Sequence, residues 1–179
     1  MRNTIDPAAR HVVLVGPMGA GKSTLGRVLG ERLGRAFVDL GARIEHAAGQ
    51  GIAAIFEDAG EAGFRALERD ALRAALAEAP SVIATGGGAV LDAGNREAMR
   101  KRATVVYLQV APARQRARLA GDATRPLLQG PDPEATLARL QAQREPLYRA
   151  AAHRVFDAGT LSPDEAADAL ARLLEDVAA

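Results

Sequence analysis

Eight residues limit what this chain can fold into more than any others. Gly16-Pro17-Met18-Gly19-Ala20-Gly21-Lys22-Ser23 follow directly on the apolar run His11-Val12-Val13-Leu14-Val15 and lead into a segment with Leu25, Val28, Leu29 and Leu33 at helical spacing. A GxxxxGK[ST] run between a strand and a helix is a phosphate cradle. Its glycines let backbone N–H groups turn onto phosphate oxygens, and the helix start adds its positive dipole end. The lysine reaches the β- and γ-phosphates, and the serine hydroxyl ligates Mg²⁺. Gly19, Ala20, Gly21, Lys22, Ser23 and Thr24 are therefore the candidate contacts for a nucleoside triphosphate. The chain has 21 Arg but only two Lys. With so few lysines, the chance of the whole pattern arising at random is on the order of 10⁻³. The motif names the nucleotide and leaves the reaction open.

The rest of the chain fits a layered α/β frame around that motif. Short β-branched runs at 11–15, 36–39, 81–85, 104–110 and 153–156 alternate with helical patterns, the clearest at 22–33 and 64–76. The unbroken apolar character of VVLV, VIAT and VVYL predicts strands covered on both faces. The expectation is a three-layer sandwich around a five-stranded parallel sheet, in one domain spanning 1–179. With 179 residues, 48% of them hydrophobic, the chain can build one core. The stretch GDATRPLLQGPDP at 121–133 holds three prolines between two helical segments. It predicts a loop long enough to act as a lid, and it carries Arg125.

Composition narrows the partners. Twenty-three basic against 22 acidic side chains leave a net charge of +1, which gives no field for nucleic acid. With no Cys there is no disulfide frame and no thiolate metal site, which suits a reducing compartment. No stretch reads as a signal peptide or membrane span, and there are no heptads, so the expectation is a soluble, cytoplasmic monomer. Arginine is so frequent that two clusters, Arg96-Arg100-Lys101-Arg102 and Arg114-Arg116-Arg118, read as solvated helix faces. His11, His46 and His153 have no metal spacing, and Tyr107 and Tyr148 read as packing residues with a polar tip.

Two further features point to chemistry. Asp39 ends the run AFVD, a position from which a carboxylate supports the Mg²⁺ held by Ser23; a helix N-cap is the alternative. Gly86, Gly87 and Gly88 follow VIAT at the carboxyl end of a strand, where ligands of open parallel sheets bind. Three glycines in a row cost roughly 0.5–1 kcal/mol each in backbone entropy, so something must approach that backbone closely.

Taken in order, GPMGAGKSTLGR, FVD, Ile44-Glu45, IFEDAGEAGFRALE, VIATGGG, Arg125-Pro126-Leu127-Leu128 and Arg144-Glu145-Pro146-Leu147-Tyr148 resemble the shikimate kinase family over residues 12–151. The resemblance implies a P-loop kinase that transfers the ATP γ-phosphoryl to the 3-hydroxyl of shikimate, on the route to chorismate and the aromatic amino acids. It implies Mg²⁺, with Lys22, Arg125 and Asp39 as catalytic residues and Ser23 and Asp39 at the metal. It implies Arg65 and Arg144 as clamps on the substrate carboxylate, with Gly86, Gly87 and Gly88 as the substrate's glycine contact. Glu68 would hold Arg65, and Phe56 and Phe64 would wall the pocket, although core packing explains either Phe as well. Arg118 would stack on adenine, and Arg125 would reach over the phosphates.

The family pattern also implies a second acidic residue two positions after Asp39, which hydrogen-bonds the accepting hydroxyl and takes its proton. Here the run is Asp39-Leu40-Gly41, so the substrate side of that position has no side chain. General-base assistance is typically worth about 10² to 10⁴ in rate, so a slow kinase is physically reasonable, and an inactivating substitution in an otherwise intact enzyme is the competing reading of Gly41. Glu45, one helical turn on, is the other acid within the same stretch. A kinase for another small hydroxylated acid and a non-catalytic ATP-binding pseudoenzyme are the alternatives that the residues leave open.

Overall fold

The apolar runs do become strands. A computed structural model describes residues 10–122, 124–125 and 128–176. It has strands β1 (His11–Val15), β2 (Phe37–Asp39), β3 (Val82–Ala84), β4 (Ala103–Gln109) and β5 (Arg154–Asp157). All pairs are parallel, in the order β2-β3-β1-β4-β5. Between and after them run α1 (Lys22–Leu33), α2 (Leu40–Ala48), α3 (Ile52–Ala77), α4 (Ala93–Arg102), α5 (Pro112–Leu119), α6 (Pro133–Ala151) and α7 (Pro163–Glu175), with a 3-10 turn at Ala89–Leu91.

The central strands are apolar throughout because both faces are covered. Val13, Val15, Ile83, Val105 and Tyr107 enter one core cluster with Ile44, Leu72, Met99 and Tyr148. Val12, Leu14, Val82, Val106 and Leu108 enter the other with Leu25, Leu29 and Leu170. Helices α1 and α7 thus cover one face, and α2, α3, α4 and α6 the other, which is the three-layer sandwich expected. The central strand β1 sits between β3 and β4, where the strand order reverses and a crevice opens at the carboxyl ends. Among the described residues no helix is long and apolar enough to cross a membrane.

Three features differ from the sequence reading. Helix α3 starts at Ile52, well before 64, and continues through a break at Gly60, where φ is 68° and ψ −177°. Ile55 and Phe64 lie on either side of that break in the same core cluster. Of the two readings of Phe56 and Phe64, core packing is the one observed: their rings pack 4.8 Å apart, Phe64 is buried in the core and Phe56 packs against it. The arginine cluster on α4 is also more than a solvated face. Arg100 donates to the carbonyls of Ala150, Ala151 and Ala152 at the end of α6, Arg102 to Leu76 at the end of α3, and Arg96 to Val90 and Leu91. Last-turn carbonyls lack helical partners, so these cations satisfy acceptors and oppose the negative end of the dipole. His11 and His153 likewise tie strand ends, His11 to Ser81 and His153 to the Val105 amide, and burial lowers the pKa of both.

Candidate active site

The phosphate loop joins β1 to α1 at the point where the sheet order reverses. Gly21 precedes the helix with φ of 89°, a left-handed conformation that frees the first helical amides. Lys22 is buried and its Nζ donates to the carbonyls of Gly16 (2.7 Å) and Pro17 (2.8 Å), inside its own loop. Burial pushes its pKa down to about 7; the neighbouring Arg125 and Arg144 add to that shift and Asp39 opposes it. Helix α5 grips the same loop from outside. Gln115 Nε2 donates to Met18 O at 2.9 Å, and Arg118 Nη1 to Gly19 O at 2.9 Å. Arg118 was expected over adenine; here its guanidinium rests on the loop backbone.

Asp39 caps α2, and the same carboxylate also meets the hydroxyl of Ser23. One carboxylate oxygen accepts from the Ala42 amide and caps α2 (3.1 Å), while the other accepts from Ser23 Oγ at 2.6 Å. A hydroxyl and a carboxylate side by side fit Mg²⁺, which keeps most of its waters and takes one or two protein oxygens besides the nucleotide phosphates. Among the described residues no group of three or more His, Asp or Glu forms a cage for a metal.

The three consecutive glycines are explained by their neighbours. A Cβ on Gly86 would lie 2.8 Å from Glu68 Oε2, one on Gly88 would overlap the Arg65 guanidinium, and one on Gly87 would lie 3.4 Å from both Arg144 Nη1 and Met18 N. The loop is bare so that an Arg-Glu-Arg arrangement and the phosphate loop can close on it. Arg65 Nη1 meets Glu68 Oε1 at 2.9 Å, across one turn of α3, and Glu61 adds a longer contact at 3.3 Å. Glu68 is buried, which raises its pKa, and Arg65 and Arg144 pull it back. Arg144, on α6, is 4% exposed. Arg65 and Arg144 each keep a buried Nε–H with no acceptor. Two guanidinium groups from two different helices thus converge on one glycine loop with donors to spare.

A cleft of about 820 Å³ collects most of the expected residues: Gly19, Gly21, Lys22, Ser23 and Thr24, then Asp39, Gly41 and Glu45, then Gly86 and Gly87, and Arg118 and Arg125. Ala20 is buried behind it in the core. Arg125 is half exposed, paired to Asp122 at 3.2 Å. Ala123, Pro126 and Leu127 of the expected lid lie outside the described residues. Gly41 sits in the first turn of α2, where a Cβ would meet Asp39 Oδ1 and Ile52 Cδ1 at an ordinary 3.4 Å. The sequence reading missed Gln115, hidden among arginines, and the hydroxyl of Tyr148, which donates to Gly87 O at 2.6 Å. The only signal for the latter is its place four residues after Arg144, on the same helix face.

A strand-loop-helix phosphate site at the switch point of a parallel sheet, facing a pair of converging arginines, defines a P-loop kinase of small molecules. A sugar kinase from Janibacter, 19% identical with a TM-score of 0.56 over 93% of this chain and 95% of its own, shares that fold. The shikimate kinase family model matches residues 18–175, and the chain belongs to that family. It is 50% identical over 158 residues to a shikimate kinase of Xanthomonas campestris, covering 88% of each chain. A shikimate kinase of Stenotrophomonas maltophilia is 49% identical over 170 residues, 95% of this chain and 93% of that one. The structure of the Acinetobacter baumannii shikimate kinase in complex with shikimate superposes with a TM-score of 0.93 at 41% identity, covering 96% of both chains.

Proposed function

We propose that this chain uses ATP and Mg²⁺ to phosphorylate the 3-hydroxyl of shikimate, with the residues of the cleft in the following roles. The observation that carries the reading is the convergence of Arg65 and Arg144 on Gly86–Gly88, each with an unpartnered buried Nε–H, next to the phosphate loop. Guanidinium groups bind carboxylates through paired N–H donors, so an acceptor bearing a carboxylate is the natural guest. A simple sugar or nucleoside would leave those donors unmet, at a cost of about 1–3 kcal/mol for each buried group.

The chemistry then follows from charge and position. Backbone amides of Gly19 to Ser23 and Lys22 hold the β- and γ-phosphates, and Lys22 must leave the Gly16 and Pro17 carbonyls to do so. Ser23 and Asp39 are the side chains that would hold Mg²⁺, which when bound neutralises charge on the β- and γ-phosphates. Arg125 faces the same charge from the lid side and Arg118 packs at the nucleotide end. The accepting oxygen attacks γ-phosphorus, the bridging Pγ–O bond breaks, and ADP leaves with the electron pair. With no carboxylate at position 41, the proton of the accepting hydroxyl passes to water in the cleft, where Glu45 is the carboxylate besides Asp39 in the lining. The transition state of phosphoryl transfer is loose, so positioning and charge supply most of the catalysis and Gly41 is compatible with turnover. Residues 121–133 serve as the lid of this single domain, and slower proteolysis there with both substrates bound is the check. A cytoplasmic monomer that binds no nucleic acid completes the reading.

The test is a panel of acceptors. Shikimate should be phosphorylated and its methyl ester should not, and Arg144→Leu should raise the KM for shikimate by about 10²-fold while leaving that for ATP within a factor of three, as expected for a charge-assisted pair. Equal use of the acid and the ester would overturn the reading.

A further inference from the structure

Six aromatic side chains serve the whole chain, and the two tyrosines stack on each other. Tyr107, on β4, and Tyr148, on α6, lie 5.1 Å apart between ring centroids with their planes at 23°, both almost fully buried. Their hydroxyls part company. That of Tyr107 meets Gln141 Nε2 at 3.2 Å, inside the layer between β4 and α6, whereas that of Tyr148 donates to Gly87 O at 2.6 Å. We infer that Tyr148 is a positioning residue for the acceptor site: its hydroxyl fixes the orientation of the peptide joining Gly87 to Gly88, and so decides whether that loop offers an N–H or a carbonyl to an anionic substrate.

The peptide's own geometry makes the choice binary. Among the described residues there are no cis peptide bonds, so the Gly87 carbonyl and the Gly88 N–H point in opposite directions. Tyr148 holds the carbonyl on the core side, which turns the N–H away from the core. Glycines on both sides of this bond remove the Cβ contacts that would otherwise hinder a rotation of the plane. Nothing intrinsic to a Gly-Gly-Gly sequence prevents the flip, and the flipped loop would aim a carbonyl oxygen at an acid. The anchor has to come from elsewhere, and it comes from the helix that carries Arg144, one turn away. Arg144 Nη1 lies against Gly87, so clamp and loop are set by a single rigid element. Burial pushes the Tyr148 pKa up to about 12, with Arg144 opposing the rise, and its hydroxyl remains a donor at any assay pH.

This role rests on the functional reading above, and the two can fail separately. Tyr148→Phe keeps the ring and its stack and deletes only the bond to the loop; Tyr107→Phe deletes the hydroxyl of the other ring and serves as the matched control. The expected result is a KM for shikimate raised about tenfold or more in Tyr148→Phe, a KM for ATP within twofold, and both constants unchanged in Tyr107→Phe. In ¹⁵N-glycine-labelled protein without substrate, the Gly88 amide resonance should move in Tyr148→Phe and the phosphate-loop glycines should not. Equal effects of the two substitutions, equal loss of affinity for both substrates, or an unmoved Gly88 amide would overturn the proposal. A second probe keeps Tyr148 in place: with 3-fluorotyrosine in the Tyr107→Phe background, a single ¹⁹F signal reports residue 148. It should respond to shikimate and not to ADP; indifference to shikimate would also overturn the role. Should the unaltered protein ignore shikimate altogether, the functional reading falls, while the glycine amides still decide whether Tyr148 anchors the loop.

Discussion

Lys22 is the residue whose state depends most on what fills the cleft. In the free protein its ammonium is buried against two backbone carbonyls, with Arg125 and Arg144 nearby, and its pKa is down at about 7 from an ordinary 10.5. The sign of the consequence follows from linkage. Between about pH 7 and 10.5 the unfolded chain holds a proton on this lysine that the folded one lacks, so the lysine's contribution to stability rises with pH across that window and is lost as pH falls to 7. A polyphosphate reverses the preference, because negative charge favours the ammonium. ADP binding at pH 8.5 should therefore take up close to one proton, read as a dependence of the calorimetric enthalpy on the buffer's ionisation enthalpy. Binding with no proton exchange would mean that Lys22 is already charged in the free protein.

Single residues also mark where sequence reasoning stops. The pattern GxxxxGK[ST] located Lys22 and Ser23 because spacing along the chain is all that motif needs. Asp39 was legible only as two alternatives, a metal-side carboxylate or a helix cap, because the chain does not reveal that its two oxygens face different partners. Gly86 to Gly88 signalled close approach, but the approaching groups are the protein's own Glu68, Arg65 and Arg144, brought from positions up to 57 residues away in the chain.

At the scale of elements, the strands were legible wherever both faces are buried, since an unbroken apolar run has few other uses in a chain with 25% charged residues. Helix α3 was only half legible: the acidic, glycine-flanked stretch before Phe64 hides an amphipathic turn that Gly60 offsets from the next one. The arginines that close helix ends were not legible at all. Arg100 reaches carbonyls 50 to 52 residues away, a contact that leaves no local pattern. Arg100→Ala should lower stability by about 1 kcal/mol, or roughly 3 °C in Tm for a domain of this size, because the last carbonyls of α6 lose a charged donor at an exposed site. Differential scanning calorimetry reads the shift, and kcat should be unaltered. An unchanged Tm would show that solvent replaces the arginine without loss.

At the scale of the whole molecule, one arrangement carries both the fold and the chemistry. The sheet order β2-β3-β1-β4-β5 places the loops after β1, β2 and β3 around one crevice, so that phosphate loop, Asp39 and triglycine loop meet there. Helices α3 and α6 then bring one arginine each from the same side of the sheet. This convergence was legible in outline, because each motif ends a strand at its carboxyl end. The side-chain anchors behind it, Gln115 on the phosphate loop and Tyr148 on the glycine loop, were not, because each acts through a backbone carbonyl, a partner that the residue's place in the sequence does not disclose. At Gly41 the cleft has room for a Cβ that the chain does not supply.

The central claim, ATP-dependent phosphorylation of shikimate within this cleft, is tested most directly by ³¹P NMR of the purified protein with Mg²⁺, ATP and shikimate, beside Lys22→Ala and Gly41→Asp. The account predicts shikimate 3-phosphate and ADP from the unaltered protein, no product above background from Lys22→Ala, and formation at least tenfold faster from Gly41→Asp, where a Cβ meets only ordinary contacts and general-base help is worth about 10² or more. No phosphorylated shikimate from either the unaltered protein or Gly41→Asp, or product that persists undiminished in Lys22→Ala, would contradict it.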